Sequence, residues 1–122
     1  MKNDSHIPVI NVGILSATEV SFTLNSPFIE SANHRKLDGS WKAGVSGGKI
    51  VLKKKALELK FNSGLMLSAR PGSDPTFTLH AVTIGVNFHW QRIEDQVFKG
   101  DLKLIIENGK VTAINVISIE EY

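Results

Sequence analysis

The stretch LKLIIENGKVTAINV, residues 102–116, decides the fold class, because a two-residue turn interrupts an alternation of apolar and polar residues. Its centre, Asn108-Gly109, is the dipeptide that supplies the two positive-φ positions of a type I′ turn. Folding the chain about this turn pairs Glu107 with Lys110, which are opposite charges on neighbouring antiparallel strands. The same register sets apolar residues opposite one another on the other face: Leu104 with Ala113, and Ile106 with Val111.

The same period of two recurs along the rest of the chain, and it is the pattern of a strand with one buried and one wet face. It appears in three further runs: Val20/Phe22/Leu24, Leu57/Leu59/Phe61 and Val86/Phe88/Trp90. Turn signals separate the runs: Asp38-Gly39, Ser46-Gly47-Gly48, Asn62-Ser63-Gly64 and Pro71–Pro75. We therefore predict one all-β domain over residues 1–122, an antiparallel sandwich or partly closed barrel of roughly eight to ten strands.

Composition excludes several classes of protein. The 122 residues are 42% hydrophobic and 21% charged, with a net charge of +2, which is too mild for a nucleic-acid binder. No run approaches the roughly 20 apolar residues of a membrane span. The absence of cysteine excludes disulfides and thiolate metal sites. The polar residues 1–6 lead into no apolar segment, so no export signal is visible.

The last residues carry the signals that begin a helix. Ser118 is a good N-cap, and Glu121 stands three residues later, at the position that completes a capping box. Ile117 and Tyr122 occupy the two positions of a hydrophobic staple, and Glu120 adds negative charge in the first turn. We expect a helix to start here and to continue in a longer protein, of which these residues are the amino-terminal part.

No residue has the context of a catalyst. Adjacent helical residues point about 100° apart, so Glu120 and Glu121 cannot flank one glycosidic bond. The segment GSWKAGVSGGK, residues 39–49, does not fit a phosphate-binding loop, because the register places Ala43 where the first glycine belongs. The four histidines share no metal-ligand spacing. The sequence therefore predicts no catalytic residue, no metal site and no cofactor.

Two features could bind a ligand. The triplet Lys53-Lys54-Lys55 could hold an anionic polymer, although lysines between strands more often form a solvated edge that prevents aggregation. Trp90 and Arg92 could form a patch that stacks on sugar rings, although a tryptophan in an alternating run is more often part of the core. We take Lys53, Lys55, Trp90 and Arg92 as the substrate-binding candidates.

The order of these segments resembles the SpoIID/LytB family, which includes stage II sporulation protein D and the amidase enhancers. The similarity begins with VGIL at residues 12–15 and is specific in FKGDLKLIIENGKVTAINVISIEEY, residues 98–122. Family members carry an aromatic-x-Gly followed by a strand, a turn and a second strand that ends in a Glu-x-Tyr. The matching positions in this sequence are Phe98, Gly100, Ile114, Asn115, Ile119, Glu120 and Tyr122.

The resemblance implies a cell-envelope protein outside the cytoplasm that acts on the glycan strands of peptidoglycan, with a cell-wall amidase as a second partner. It implies lytic transglycosylase chemistry, in which one glutamic acid protonates the glycosidic oxygen and the muramyl 6-hydroxyl closes an anhydro ring. That acid is expected about ten residues after the position of Tyr122, so this chain would be the scaffold that positions it.

Two alternatives remain open. The first is a non-catalytic β module that binds cell-wall glycan or an amidase. The second is a structural domain that docks other domains through an apolar patch containing Phe28, Ile93 or Tyr122.

Overall fold

The computed structural model describes residues 8–62, 64–69, 75–84 and 92–118. In these residues the chain forms ten antiparallel strands of a single sheet and no helix, which confirms the all-β prediction. No helix of the described part, accordingly, has the length and apolar character to cross a membrane. The strands are β1 (Val9–Ala17), β2 (Glu19–Glu30), β3 (Lys36–Ser46), β4 (Lys49–Lys54), β5 (Leu57–Phe61), β6 (Gly64–Ala69), β7 (Thr76–Ile84), β8 (Arg92–Lys99), β9 (Asp101–Glu107) and β10 (Lys110–Ser118).

Strand β2 is the point at which the sheet divides. One of its edges pairs with β3, and β4 and β5 follow outward. Its other edge pairs with β7 along Phe22–Leu24 and then with β6 along Phe28–Glu30. The β3 register shifts between Leu24 and Phe28, and Pro27, which has no amide hydrogen to give to a ladder, lies inside this shift. One branch therefore continues from β7 to β8, and the other from β6 through β9 and β10 to β1.

The core lies between the two parts of the sheet, because β10 packs against β2 and β3, and β9 packs against β4. Alternation along the strands supplies its side chains, which are mostly Leu, Phe, Ile and Val. Phe77 is at its centre: its ring packs edge-on against Phe28 at 6.3 Å and stacks on Phe98 at 5.5 Å, centroid to centroid. In the described part the strand path ends at β1 and β5, so the sheet is not closed into a barrel.

The hairpin from β9 to β10 has the predicted register. Glu107 pairs with Lys110, and the apolar pairs Ile106–Val111 and Leu104–Ala113 follow. Asn108 and Gly109 have φ values of 51° and 75°, as a type I′ turn requires. A second glycine turn, Gly47-Gly48, joins β3 to β4 in the same way, with φ values of 59° and 76°. Both turns confirm that local sequence determines these two connections.

The prediction of a turn at Asp38-Gly39 is wrong, because both residues lie inside β3. Gly39 has a φ of +77°, which bends the strand without ending it. The carbonyl oxygen of Asp38 accepts hydrogen bonds from Trp41 Nε1 at 2.8 Å and from Lys54 Nζ at 2.9 Å. The dipeptide therefore positions an acceptor for the buried indole instead of reversing the chain.

Three other predictions concern particular positions. The helix start at Ser118 is not seen: Ser118 is the last residue of β10, and residues 119–122 lie outside the described residues. The predicted strand at residues 86–90 also lies outside them. The apolar docking patch cannot include Phe28, which is fully buried in the core. The described large apolar side chains that are exposed are Val9, Leu57 and Val97.

Candidate functional site

The outer face of β7, β2 and β3 carries small polar side chains. Alternation turns Phe22 and Leu24 into the core, so the residues between them and before them, Thr23 and Ser21, point to the other side. The neighbouring strands place Ser40 and His80 on the same face. These side chains are shorter than the lysine side chains around them, so the middle of this face is recessed.

A groove of about 380 Å³ lies in this recess. Four lysines stand around it, one from β3 and three from β4 and the turn that follows, and the side chains that line it include no carboxylate. The lining consists of Ser21, Phe22, Ser40, Trp41, Lys42, Lys53, Lys54, Lys55 and His80. This volume is within the range of small-molecule sites, and the positive charge of the four lysines favours an anionic ligand.

Two of the four lysines are engaged with acids. Lys53 Nζ lies 3.8 Å from Glu58 Oε2, and both side chains are largely exposed, so this pair is weak. Lys54 Nζ lies 3.8 Å from Asp38 Oδ1 and 5.3 Å from the centre of the Trp41 ring. By contrast, neither Lys42 nor Lys55 forms an ion pair with any residue of the described ranges. Their ammonium groups are available to a ligand.

A chain of hydrogen bonds crosses the end of the groove. Asp95 Oδ2 on β8 lies 3.0 Å from His80 Nδ1 on β7. The other ring nitrogen, His80 Nε2, lies 2.7 Å from Thr23 Oγ1 on β2. Thr23 Oγ1 lies in turn 2.7 Å from Ser40 Oγ on β3. This series of hydrogen bonds therefore joins four strands, and it ends at the Ser40 hydroxyl, which lines the groove.

A smaller depression of about 130 Å³ adjoins the groove and shares Lys42 and Lys53 with it. Its lining is mixed in charge, because Glu19 and Glu58 stand there with Lys60. The basic part of this face is therefore confined to the groove.

Three of the family-motif positions meet at the connection between β8 and β9. Gly100 has a φ of +92°, and a Cβ atom built on it would lie 2.6 Å from the carbonyl oxygen of Val116. Asn115 is 6% exposed, and its Nδ2 donates to the carbonyl oxygens of Lys99 at 2.7 Å and Asp101 at 3.2 Å. Phe98, two residues before Gly100, stacks on Phe77 in the core.

A buried acid, Glu30, closes the turn between β2 and β3. Its side chain is fully enclosed, and it accepts hydrogen bonds from the Asn33 amide at 2.6 Å and from Arg35 Nε at 2.7 Å. Burial alone would raise the pKa of Glu30, but these donors, together with the charge of Arg35 and the amide of Ala32, hold it below its usual value. Both oxygens are occupied, so this acid is structural.

The predicted site residues fall into separate places. Lys53 and Lys55 stand at the groove, whereas Phe98, Gly100 and Asn115 form the β8–β9 connection. Arg92 is the first residue of β8. Trp90, Glu120 and Tyr122 lie outside the described residues, as does Ile119. Ile114 is half-buried on β10.

Sequence reasoning missed Lys42, Ser40, His80, Thr23 and Asp95. Alternation could have placed each on the outer face of its own strand, but no local signal states that β2 has β3 on one side and β7 on the other. Within the described ranges, no group of three or more His, Asp or Glu side chains is arranged to hold a metal ion.

Comparison of the whole chain with known proteins adds no relative: no family model matches it, and neither a curated protein nor a solved structure does.

Proposed function

We propose that this chain is the β-sheet portion of a SpoIID/LytB-like protein of the cell envelope, which acts on peptidoglycan as a lytic transglycosylase or as an amidase enhancer. The observation that carries the proposal is the contact between Gly100 and Asn115. These two positions of the family pattern are 15 residues apart in sequence, and here one side chain holds the backbone around the other.

The surroundings of Gly100 and Asn115 restrict which side chain can stand at each position, and this supports the use of both positions as part of the family pattern. A positive φ and the close approach of the Val116 carbonyl permit only glycine at position 100. The Asn115 amide donates to the carbonyl groups of Lys99 and Asp101, the two residues that flank Gly100. Phe98 anchors the same connection to the core, so all three positions serve one local structure.

In this proposal the sheet is a scaffold. The glutamic acid that would protonate the glycosidic oxygen follows the position of Tyr122 and is not among these 122 residues. The sheet would hold the segment that carries this acid and would form one wall of the glycan cleft.

The test of this proposal is the protein encoded by the whole gene. If the gene continues past Tyr122, that protein should cleave glycan strands stripped of stem peptides and release ends with 1,6-anhydro rings, detected by mass spectrometry. Replacing the glutamate that follows should abolish these products without unfolding the protein. A stop codon directly after Tyr122, or a folded longer protein that produces no anhydro ends and stimulates no amidase, would refute the proposal.

A second candidate function, a non-catalytic glycan-binding module, is favoured by the groove. Lys53 and Lys55 both stand beside it, and Lys55 has no ion pair within the described part of the chain. In this case the chain would bind the wall polymer, whose stem peptides carry carboxylates, without any reaction.

Retention on purified sacculi separates this function from the first. The double variant Lys53→Glu/Lys55→Glu should elute at lower salt than wild type. Lys49→Glu/Lys110→Glu, which makes the same change of charge outside the groove, should elute with wild type. Trp90→Ala tests the stacking patch in the same assay. Equal retention of all the variants would exclude these residues from binding.

A further inference from the structure

We propose that the groove between β7, β3 and β4 is a binding site for an oxyanion, a phosphate, sulfate or carboxylate group. The oxyanion is held by Lys42, by Lys53, whose exposed ion pair with Glu58 is weak, and by the Ser40 hydroxyl, and binding is coupled to protonation of His80. This inference does not rest on the cell-wall assignment, because it uses only the side chains of the groove and the chain of hydrogen bonds that ends in it.

The direction of each hydrogen bond follows from the acid at one end of the chain. A carboxylate can only accept, so His80 Nδ1 carries a hydrogen and donates it to Asp95 Oδ2. In the neutral imidazole the other nitrogen is then an acceptor, and Thr23 donates its hydroxyl hydrogen to it. Having used its one hydrogen, Thr23 accepts from Ser40. Ser40 therefore presents only lone pairs to the groove, which repel an anion.

Protonation of His80 reverses this direction. With both ring nitrogens protonated, Nε2 donates to Thr23 Oγ1, and Thr23 donates its hydroxyl hydrogen to Ser40 Oγ. The Ser40 hydrogen is then free to point into the groove. One proton thus changes Ser40 from an acceptor into a donor and adds a positive charge at the same end of the groove, and both changes favour an oxyanion.

The charged groups around His80 determine how its protonation is linked to anion binding. Asp95, from β8, faces it directly, whereas the β2 side chains against it, Ser21 and Thr23, do not titrate. Across the groove stand the four lysines, which line the same groove and carry positive charge. A bound oxyanion neutralises part of this charge. Because binding linkage is reciprocal, an anion that favours protonated His80 must bind more tightly when His80 is protonated.

A neutral or cationic ligand fits the groove less well. A cation would meet the four lysines of the lining and no carboxylate. A neutral sugar would gain most from an exposed aromatic face, and the aromatic side chains of the lining, Phe22 and Trp41, are both buried. The groove therefore selects for negative charge with oxygen acceptors.

The test uses inorganic sulfate, because its charge stays constant between about pH 5 and pH 8, where histidine ordinarily changes charge. We expect saturable amide shifts in NMR spectra at residues 40, 42 and 53, with an affinity several-fold higher near pH 5 than near pH 8. Calorimetry in two buffers of different ionisation enthalpy should show proton uptake on binding. Shifts that grow linearly with sulfate, or an affinity that does not depend on pH, would overturn the proposal.

Variants distinguish the parts of the site. Lys42→Gln should weaken sulfate binding by about tenfold, since it removes a charge-assisted contact. The matched control Lys49→Gln, which removes an exposed lysine outside the groove, should bind as wild type does. His80→Gln should lose the gain at low pH, so that its affinity for sulfate near pH 5 is no higher than its own affinity near pH 8. If His80→Gln keeps the full pH dependence while its thermal unfolding is unchanged, the coupling to His80 is wrong.

The natural source of the oxyanion is decided by parallel titrations with inorganic phosphate, sulfate and a uronic-acid disaccharide. Tighter binding of the disaccharide would identify a carboxylate carried by a sugar, and tighter binding of the inorganic ions would identify a phosphate or sulfate group.

Discussion

The side-chain amide of Asn115 spans Gly100, donating hydrogen bonds to the carbonyl groups on both sides of it. The chain passes from β8 to β9 through the single residue Gly100, and a buried asparagine with two amide hydrogens can donate to the carbonyl groups on both sides of such a bend. One residue of β10 thus holds the connection between β8 and β9, so a change at Asn115 should affect the packing of all three strands.

Replacing Asn115 tests this dependence. Asn115→Ala removes both of these part-buried hydrogen bonds, so we expect a loss of about 2–3 kcal/mol in the free energy of unfolding. Urea denaturation measures it. Asn115→Asp should be at least as destabilising near neutral pH, because a carboxylate cannot donate to a carbonyl. An Asp variant as stable as wild type would show that the two hydrogen bonds are unimportant.

Gly100→Ala should destabilise the protein more than the same change at the exposed Gly13 does. The new methyl group would meet the Val116 carbonyl at 2.6 Å on a backbone with positive φ, and we expect a loss of about 3 kcal/mol or more. Gly13→Ala is the matched control: nothing lies within 4 Å of its added carbon, so its effect should stay within about 0.5 kcal/mol. Thermal unfolding of the two variants side by side provides the comparison, and equal melting temperatures would contradict this account of position 100.

Glu30 should make the protein sensitive to acid. Its folded pKa lies below the usual value of 4.5, so its ionised form stabilises the fold at neutral pH, and this contribution disappears as pH falls from 4.5 through the folded value. Glu30→Gln should cost about 2 kcal/mol at pH 7, because glutamine has one acceptor oxygen and cannot accept from both the Asn33 amide and Arg35. Urea midpoints between pH 7 and pH 3 should show the wild type losing its advantage. A constant difference across this range would contradict the prediction.

Asp101 should have the opposite dependence on pH. Burial raises its pKa above the usual 3.8, although the Ala69 amide and the Ser68 side chain act against this through hydrogen bonds. Its ionised form is therefore unfavourable in the folded state, and this penalty is removed as pH falls through the raised folded value. Asp101→Asn keeps an oxygen for the Ala69 amide, so its stability at pH 7 should lie within about 0.5 kcal/mol of wild type or slightly above. In the same urea series wild type should gain on the variant as pH falls, and the reverse trend would refute the assignment.

The elements that sequence reasoning predicted well are those whose partners lie close in the chain. Asn108-Gly109 fixes the turn, and the alternation on either side fixes the register from Lys110 to Ala113 without any distant information. The turn prediction at Asp38-Gly39 is wrong because the local conformation there also depends on a residue that is distant in the chain. A dipeptide that favours positive φ was taken for a chain reversal, but the bend serves Trp41 and Lys54, and the latter comes from another strand.

The groove could not be predicted in this way. Its lysines were visible in sequence, yet the hydroxyls and the imidazole that meet them come from β2, β3 and β7, and β2 and β7 are neighbours only because the sheet divides at β2. Pairing between strands more than fifty residues apart is decided by the whole core, which no single stretch of sequence specifies.

The pairing of β1 with β10, from Val9 opposite Ser118 to Ala17 opposite Val111, has a consequence for biosynthesis. A ribosome makes β1 long before β10, the strand that pairs with β1 in the described part of the sheet, so β1 must wait for this partner until translation has nearly reached Ser118. The sheet therefore cannot be completed until β10 has been made, and nascent chains that stall earlier would expose an open β edge to aggregation.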